Sequence, residues 1–219
     1  MDDSAIRLAD IAKRYVGVGS TTPGDDYLNI ICGSNDWTDK MRAYFLAHPS
    51  TCALFARGVL RHAGVKHDVL SSQYVIGQAV SDLVTIGSAF GAWRLASQYA
   101  DKCPNGGDIW IIMDIMGGHE HVGICTSDPL SYYNMGYVVD TVEGGQAPDS
   151  SFIMGFTRRF LKSNGPSYML GNRRLYGWID HTKLPIQGNN LQQYAQNANR
   201  LAVVQHVMPN ALDVDGGLG

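Results

Sequence analysis

Apolar positions in the first third of the chain recur at helical spacing, whereas those further along come in short blocks bounded by turn formers. Leu8, Ile11, Ala12, Tyr15 and Val16 share one face of a helix expected over residues 5–16, and Gly17 ends the pattern. A loop rich in turn formers runs from Gly19 to Asp26, and a short helix is expected around Trp37–Leu46 before His48-Pro49 breaks it. The clearest helical signal follows. Cys52, Phe55, Ala56, Val59, Leu60 and Ala63 line one face, with Ser50 or Thr51 as the N-cap and Gly64 as the stop. A further helix is expected over residues 88–100.

After the turn cluster Pro104-Asn105-Gly106-Gly107 the period changes. Asp108-Ile109-Trp110-Ile111-Ile112-Met113 reads as a buried strand, and further strands are expected at 119–126, 136–143, 152–160 and 174–180. Helices first and strands after predict an α+β fold, not alternating βαβ units. From Asn189 a Gln/Asn-rich segment carries Leu191, Tyr194, Ala198 and Leu201 on one helical face, and the Gly- and Asp-rich tail after it is expected to be flexible. The expected organisation is one catalytic domain over 1–185, with helices within 5–64 and strands within 108–180, followed by an appendage over 186–219.

Composition narrows the functional classes only a little. A net charge of −3 with 45% hydrophobic and 17% charged residues supplies no general electrostatic pull toward nucleic acid or an anionic membrane, so neither is expected as a partner. Met1-Asp2-Asp3-Ser4-Ala5 lacks the basic and apolar regions of a secretory signal. The chain is therefore expected to be made in the cytoplasm, with any export by a route that leaves no such signal. Of the four cysteines, Cys32, Cys103 and Cys125 read as small buried hydrophobes.

Cys52 reads differently, because it opens its helix. A thiol reacts as a thiolate, and unsatisfied N–H groups at a helix N-terminus favour that form. Periodicity alone still favours a core role for Cys52, since it shares a face with Phe55 and Ala56. The segment His119-Glu120-His121-Val122-Gly123-Ile124-Cys125 supplies the missing base. In a strand His119, His121, Gly123 and Cys125 share one face, and an imidazole beside small residues suits a cleft. A metal reading of His119, His121 and Cys125 lacks a fourth ligand at a recognisable spacing, so neither metal nor cofactor is expected. A third group must orient the imidazole. Alternation puts Val139, Thr141 and Glu143 on one face and Asp140 with Val142 on the other. Glu143 is the first choice for this role, with Asp140 or Gln146 as alternatives.

The order of these motifs carries a resemblance. Helix-opening Cys52, then Gly107-Asp108-Ile109-Trp110, then His121-Val122-Gly123-Ile124, then Val139-Asp140-Thr141-Val142-Glu143-Gly144-Gly145 resembles the NlpC-type and CHAP-type cell-wall peptidases, bacterial relatives of papain. The match runs from residue 50 to about 180 and includes Leu175-Tyr176-Gly177-Trp178-Ile179-Asp180, similar to the family's closing strand. It departs where Ala53-Leu54 follows the cysteine in place of Ser-Gly, and in the long stretch between Gly64 and Pro104.

The resemblance implies a papain-like fold, N-terminal helices packed on a central antiparallel β-sheet. It also implies a cysteine hydrolase of amide bonds in peptidoglycan peptides, endopeptidase or amidase, with Cys52 as nucleophile, His121 as base, Glu143 as orienter and Asp108 structural at its turn. Without an export signal, such an enzyme is expected to act in the periplasm or wall of a target cell as a delivered antibacterial effector or phage-type lysin. The expected partners are then a wall peptide as substrate and an immunity protein or secretion-machine carrier. Two alternatives stay open: a cysteine protease, isopeptidase or acyl hydrolase with a cytosolic protein substrate, and a non-enzymatic binding module.

Overall fold

A computed structural model describes residues 1–32, 51–71, 79–99, 102–114, 120–146, 151–162 and 167–186. All of these lie in the first of two units, Met1–Gln187, into which the chain divides before Gly188–Gly219. The helices expected at 37–46 and from 189, and His119, lie outside the described residues.

Helix α1 (Asp3–Arg14) starts where the Asp2 carboxylate accepts the Ala5 N–H at 2.9 Å, and it buries Leu8, Ile11 and Ala12 as one stripe. Helix α2 (Asp26–Cys32) is short. Helix α3 (Cys52–His62) ends in a Schellman turn: Gly64 takes φ +85°, and Val65 N–H reaches the Leu60 carbonyl at 3.1 Å. A single turn, α4 (Asp68–Ser71), precedes α5 (Ala79–Ala89).

The helix expected over 88–100 is not formed. Gly91 at φ +64° closes a second Schellman turn, with Ala92 N–H on the Gly87 carbonyl at 2.7 Å. The chain then runs into strand β1 (Trp93–Leu95) and one 3₁₀ turn, Ala96–Gln98. Trp93 and Leu95, half-buried, pair with a later strand through Trp93↔Ile179 and Leu95↔Gly177 instead of lining a helical face.

Seven further strands follow: β2 (Ile109–Asp114), β3 (Glu120–Cys125), β4 (Leu130–Tyr132), β5 (Gly136–Gln146), β6 (Phe152–Lys162), β7 (Tyr168–Leu170) and β8 (Arg173–Ile179). All pairings are antiparallel. The order β8-β2-β3-β5-β6-β7 returns on itself, because β7 pairs with β8 through Met169↔Arg174 and Leu170↔Arg173. The result is a closed six-stranded antiparallel barrel. β1 continues the β8 edge and β4 pairs with β5.

This corrects the expected α+β, papain-like NlpC/CHAP architecture of helices packed on a sheet. The helices are few and short, and the sheet has closed. The tight β7–β8 hairpin, with Gly171 at φ +60°, carries the chain back to the strand that opened the ladder and so removes the free edges of a flat sheet.

Closure creates two cores from the period-2 alternation of each strand. Ile109, Ile111, Val122, Ile124 and Val142 face outward beneath α1, α2, α3 and α5. Trp110, Ile112, Cys125, Val139, Phe160 and Leu175 fill the barrel interior. The His121 ring meets Trp110 edge-on at 5.8 Å between centroids, on the interior side.

Candidate active site

Three elements bring the predicted side chains together. Cys52 is the first residue of α3 and is 8% exposed. His121 comes from the start of β3 and Glu143 from near the end of β5. At that end the β5–β6 register slips between Glu143 and Gln146, and Gly144-Gly145 fill the slip. A methyl group on Gly144 would lie 2.7 Å from Phe55 Cβ, and one on Gly145 would lie 3.0 Å from the Cys52 nitrogen. Gly145 also holds φ +70°, so a side chain is disfavoured there twice over. The two glycines let the N-terminus of α3, outside the wall, close on the rim of the barrel.

At that junction Cys52 adjoins the His121 imidazole, and its side chain favours the protonated ring. His121 Nε2 lies 2.8 Å from a carboxylate oxygen of Glu143, which is fully buried. Glu143 accepts three further hydrogen bonds. Thr141 Oγ1 donates at 2.7 Å, and Arg158 donates through Nε at 2.7 Å and Nη2 at 2.6 Å in a two-pronged fork. Gly123 makes room for this carboxylate, since a methyl there would meet the Trp110 ring at 2.2 Å and Glu143 Cγ at 2.9 Å.

Burial works against charge on both members of the pair, and in both it is outweighed. The hydrogen bonds to Cys52 and Glu143, with their negative charge, raise His121 to about 9. The Arg158 fork and the contact with His121 hold the Glu143 carboxyl below its ordinary value. An ionised Glu143 accepts, so Nε2 carries the proton it donates.

The chain matches no family model, no curated protein and no solved structure.

Gln146 lies beside the group: its amide donates to the Gly144 carbonyl at 3.2 Å, and its 3.0 Å approach to His121 Nε2 is a contact between two donors when that nitrogen gives its proton to Glu143. Asp140 does not. It points to the outer face, where it accepts from the Thr157 hydroxyl at 2.7 Å. Val139, Thr141 and Glu143 do share the inner face, as the alternation of β5 required.

Cys103 and Cys125 lie apart from this chemistry: burial pushes the Cys103 thiol up and the fully buried Cys125 thiol up much further, so both stay protonated. The side chain of Cys32 is outside the described part.

A second titratable cluster, Asp108, Asp180 and His181, has its potential ligand atoms within 4.8 Å of one another. Each group is already engaged by the protein. Asp108 accepts His181 Nδ1–H at 2.7 Å and the Asn105 N–H at 2.8 Å, while Asp180 holds Arg94 at 2.9 Å. His181 Nε2 faces Asp2 at 3.3 Å, so the cluster ties α1 to the barrel and leaves its donors to structure.

Sequence reasoning missed Arg158, while alternation along β5 places Thr141 on the face of Glu143. The signal for Arg158 was present: along Phe156-Thr157-Arg158-Arg159-Phe160 it alternates with two phenylalanines, which marks an inward-facing charge in need of a partner.

Proposed function

We propose that the protein is a cysteine hydrolase that cleaves amide bonds, with Cys52 as nucleophile, His121 as proton carrier and Glu143 as the group that orients the imidazole. The observation that carries this reading is a His121 imidazole that adjoins Cys52 and is held at 2.8 Å by a buried, fork-bound Glu143. Structural cysteines seldom need a charged relay behind them, and the other two described thiols have none.

The chemistry follows from the roles. The thiol proton moves to His121, and the sulfur attacks a carbonyl carbon to give a tetrahedral oxyanion. Thr51 gives α3 no side-chain cap, because its hydroxyl is held by Tyr27 at 2.8 Å. The first-turn N–H groups thus remain free of a competing cap and suit that oxyanion. The imidazolium then returns its proton to the leaving amine, an acyl-cysteine forms, and water releases it by the reverse sequence.

For the substrate we propose peptidoglycan peptides. The support is the order of the cysteine, Gly-Asp, His-Val-Gly and Glu-Gly-Gly motifs, which resembles that of wall peptidases. Digestion of purified peptidoglycan followed by mass spectrometry of the fragments tests both parts. New amine and carboxyl ends produced by the wild type and not by Cys52→Ala are expected. Intact peptides, or equal cleavage by Cys52→Ala, would end the proposal.

A further inference from the structure

Arg158 stands opposite Val139 in the β5–β6 register, whereas Glu143 stands opposite Met154. To reach Glu143 the guanidinium crosses the intervening row and lies over the Phe156 ring, 3.9 Å from its centroid. Its contact with Glu143 is thus not a by-product of pairing; the side chain is directed there.

Glu143 needs such a partner. A fully buried carboxylate loses its hydration and stays ionised only if fixed donors replace it. The Thr141 hydroxyl is neutral. His121 is charged only while it holds its second proton, and the proposed reaction takes that proton away and returns it. Among the described residues Arg158 alone gives Glu143 a positive partner that does not titrate in the working range.

We infer that Arg158 is a positioning residue that keeps Glu143 ionised through every protonation state of His121, and thereby sets the acid limit of the Cys52–His121 pair. This rests on reading Cys52 and His121 as a reacting pair, though not on what they cut. The sign is fixed by electrostatics. Removing a positive charge beside a cluster makes every proton on it harder to lose, so the acid limit must move to higher pH.

The test is the pH profile of Cys52 alkylation by iodoacetamide in the full chain, followed residue by residue by mass spectrometry. Arg158→Gln is expected to raise the acid midpoint by about one to three pH units. Arg158→Lys, which keeps the charge and loses the fork, should raise it by less. In a Glu143→Gln background, replacing Arg158 should move the midpoint far less than in the wild type. A merely structural arginine would lower thermal stability and leave the midpoint in place.

An unchanged midpoint in folded Arg158→Gln overturns the inference, as does an equal shift in both backgrounds. Should Arg158→Gln not fold, Arg158→Lys decides in the same way. A wild-type chain with the expected alkylation profile that leaves wall peptides intact would remove the hydrolase reading and keep this one.

Discussion

Three side chains titrate in ways that shape behaviour with pH. His121 holds its proton to about 9 in the folded chain, against 6.5 in the unfolded one. Its interactions stabilise the fold fully below pH 6.5, and that contribution fades as pH rises toward 9. In the proposed mechanism the imidazolium is also the acid that releases the leaving amine, so hydrolysis should fall off on the alkaline side near the same value. A rate profile with its alkaline limb near neutrality would contradict this. Glu143 works on the opposite side, because its lowered carboxyl lends stability above the ordinary carboxylate range and loses it as pH falls. His62 is driven down to about 4, by burial first and then by the charges of Arg61 and Arg14. Here the unfolded chain takes up a proton that the folded one refuses, so stability drops as pH falls from 6.5 to 4. His62→Gln should flatten that slope in denaturant titrations, by on the order of 3 kcal/mol at the acid end.

At the scale of elements, the site depends on how the β5 slip meets the first turn of α3. Gly145→Ala places a side chain at φ +70° against the Cys52 backbone, and a cost of about 1–2 kcal/mol is expected from the backbone conformation alone. Its larger effect should be on chemistry. Cys52 alkylation and hydrolysis should fall by more than the loss in melting temperature explains, and parallel losses would show that the junction merely holds the fold. Gly144→Ala should act similarly through Phe55. This junction was partly legible in the chain. The helical stripe from Cys52, the His121 strand and the inward face of Thr141 and Glu143 all follow from periods of 3.6 and 2. The slip between Glu143 and Gln146 does not, because a bulge shows in a sequence only as two glycines, which equally mark a turn. The segment over 88–100 misled for a related reason, since its apolar spacing fits a helix until Gly91 is read as a terminator.

For the molecule as a whole, the positions of five strands were legible and their closure was not. Closure hangs on β7, three residues long, whose Tyr168 faces inward toward Tyr137 at 4.8 Å between ring centroids. A strand so short carries no measurable period. The interior it seals is aromatic: Trp110 meets Phe160 edge-on at 5.6 Å, and Tyr137 stacks on Phe160 at 5.1 Å. Phe160→Ala should therefore cost about 3–5 kcal/mol, read from urea unfolding, and a loss below about 1 kcal/mol would mean that the barrel does not depend on that stack.

The same closure has a consequence for when the chain becomes reactive. The thiol arrives on a helix from outside the wall, and the imidazole looks out from within it. They belong to different packing cores and meet only at the rim where the two glycines sit. Neither a formed barrel with α3 undocked nor a formed helix without the barrel contains the pair. A nascent or partly opened molecule therefore holds this cysteine and histidine apart, and the pair forms only when both cores have closed. If Cys52 and His121 react as proposed, the Cys52 alkylation rate in mild urea should fall to that of the unfolded chain before the near-ultraviolet signal of the interior aromatics is lost.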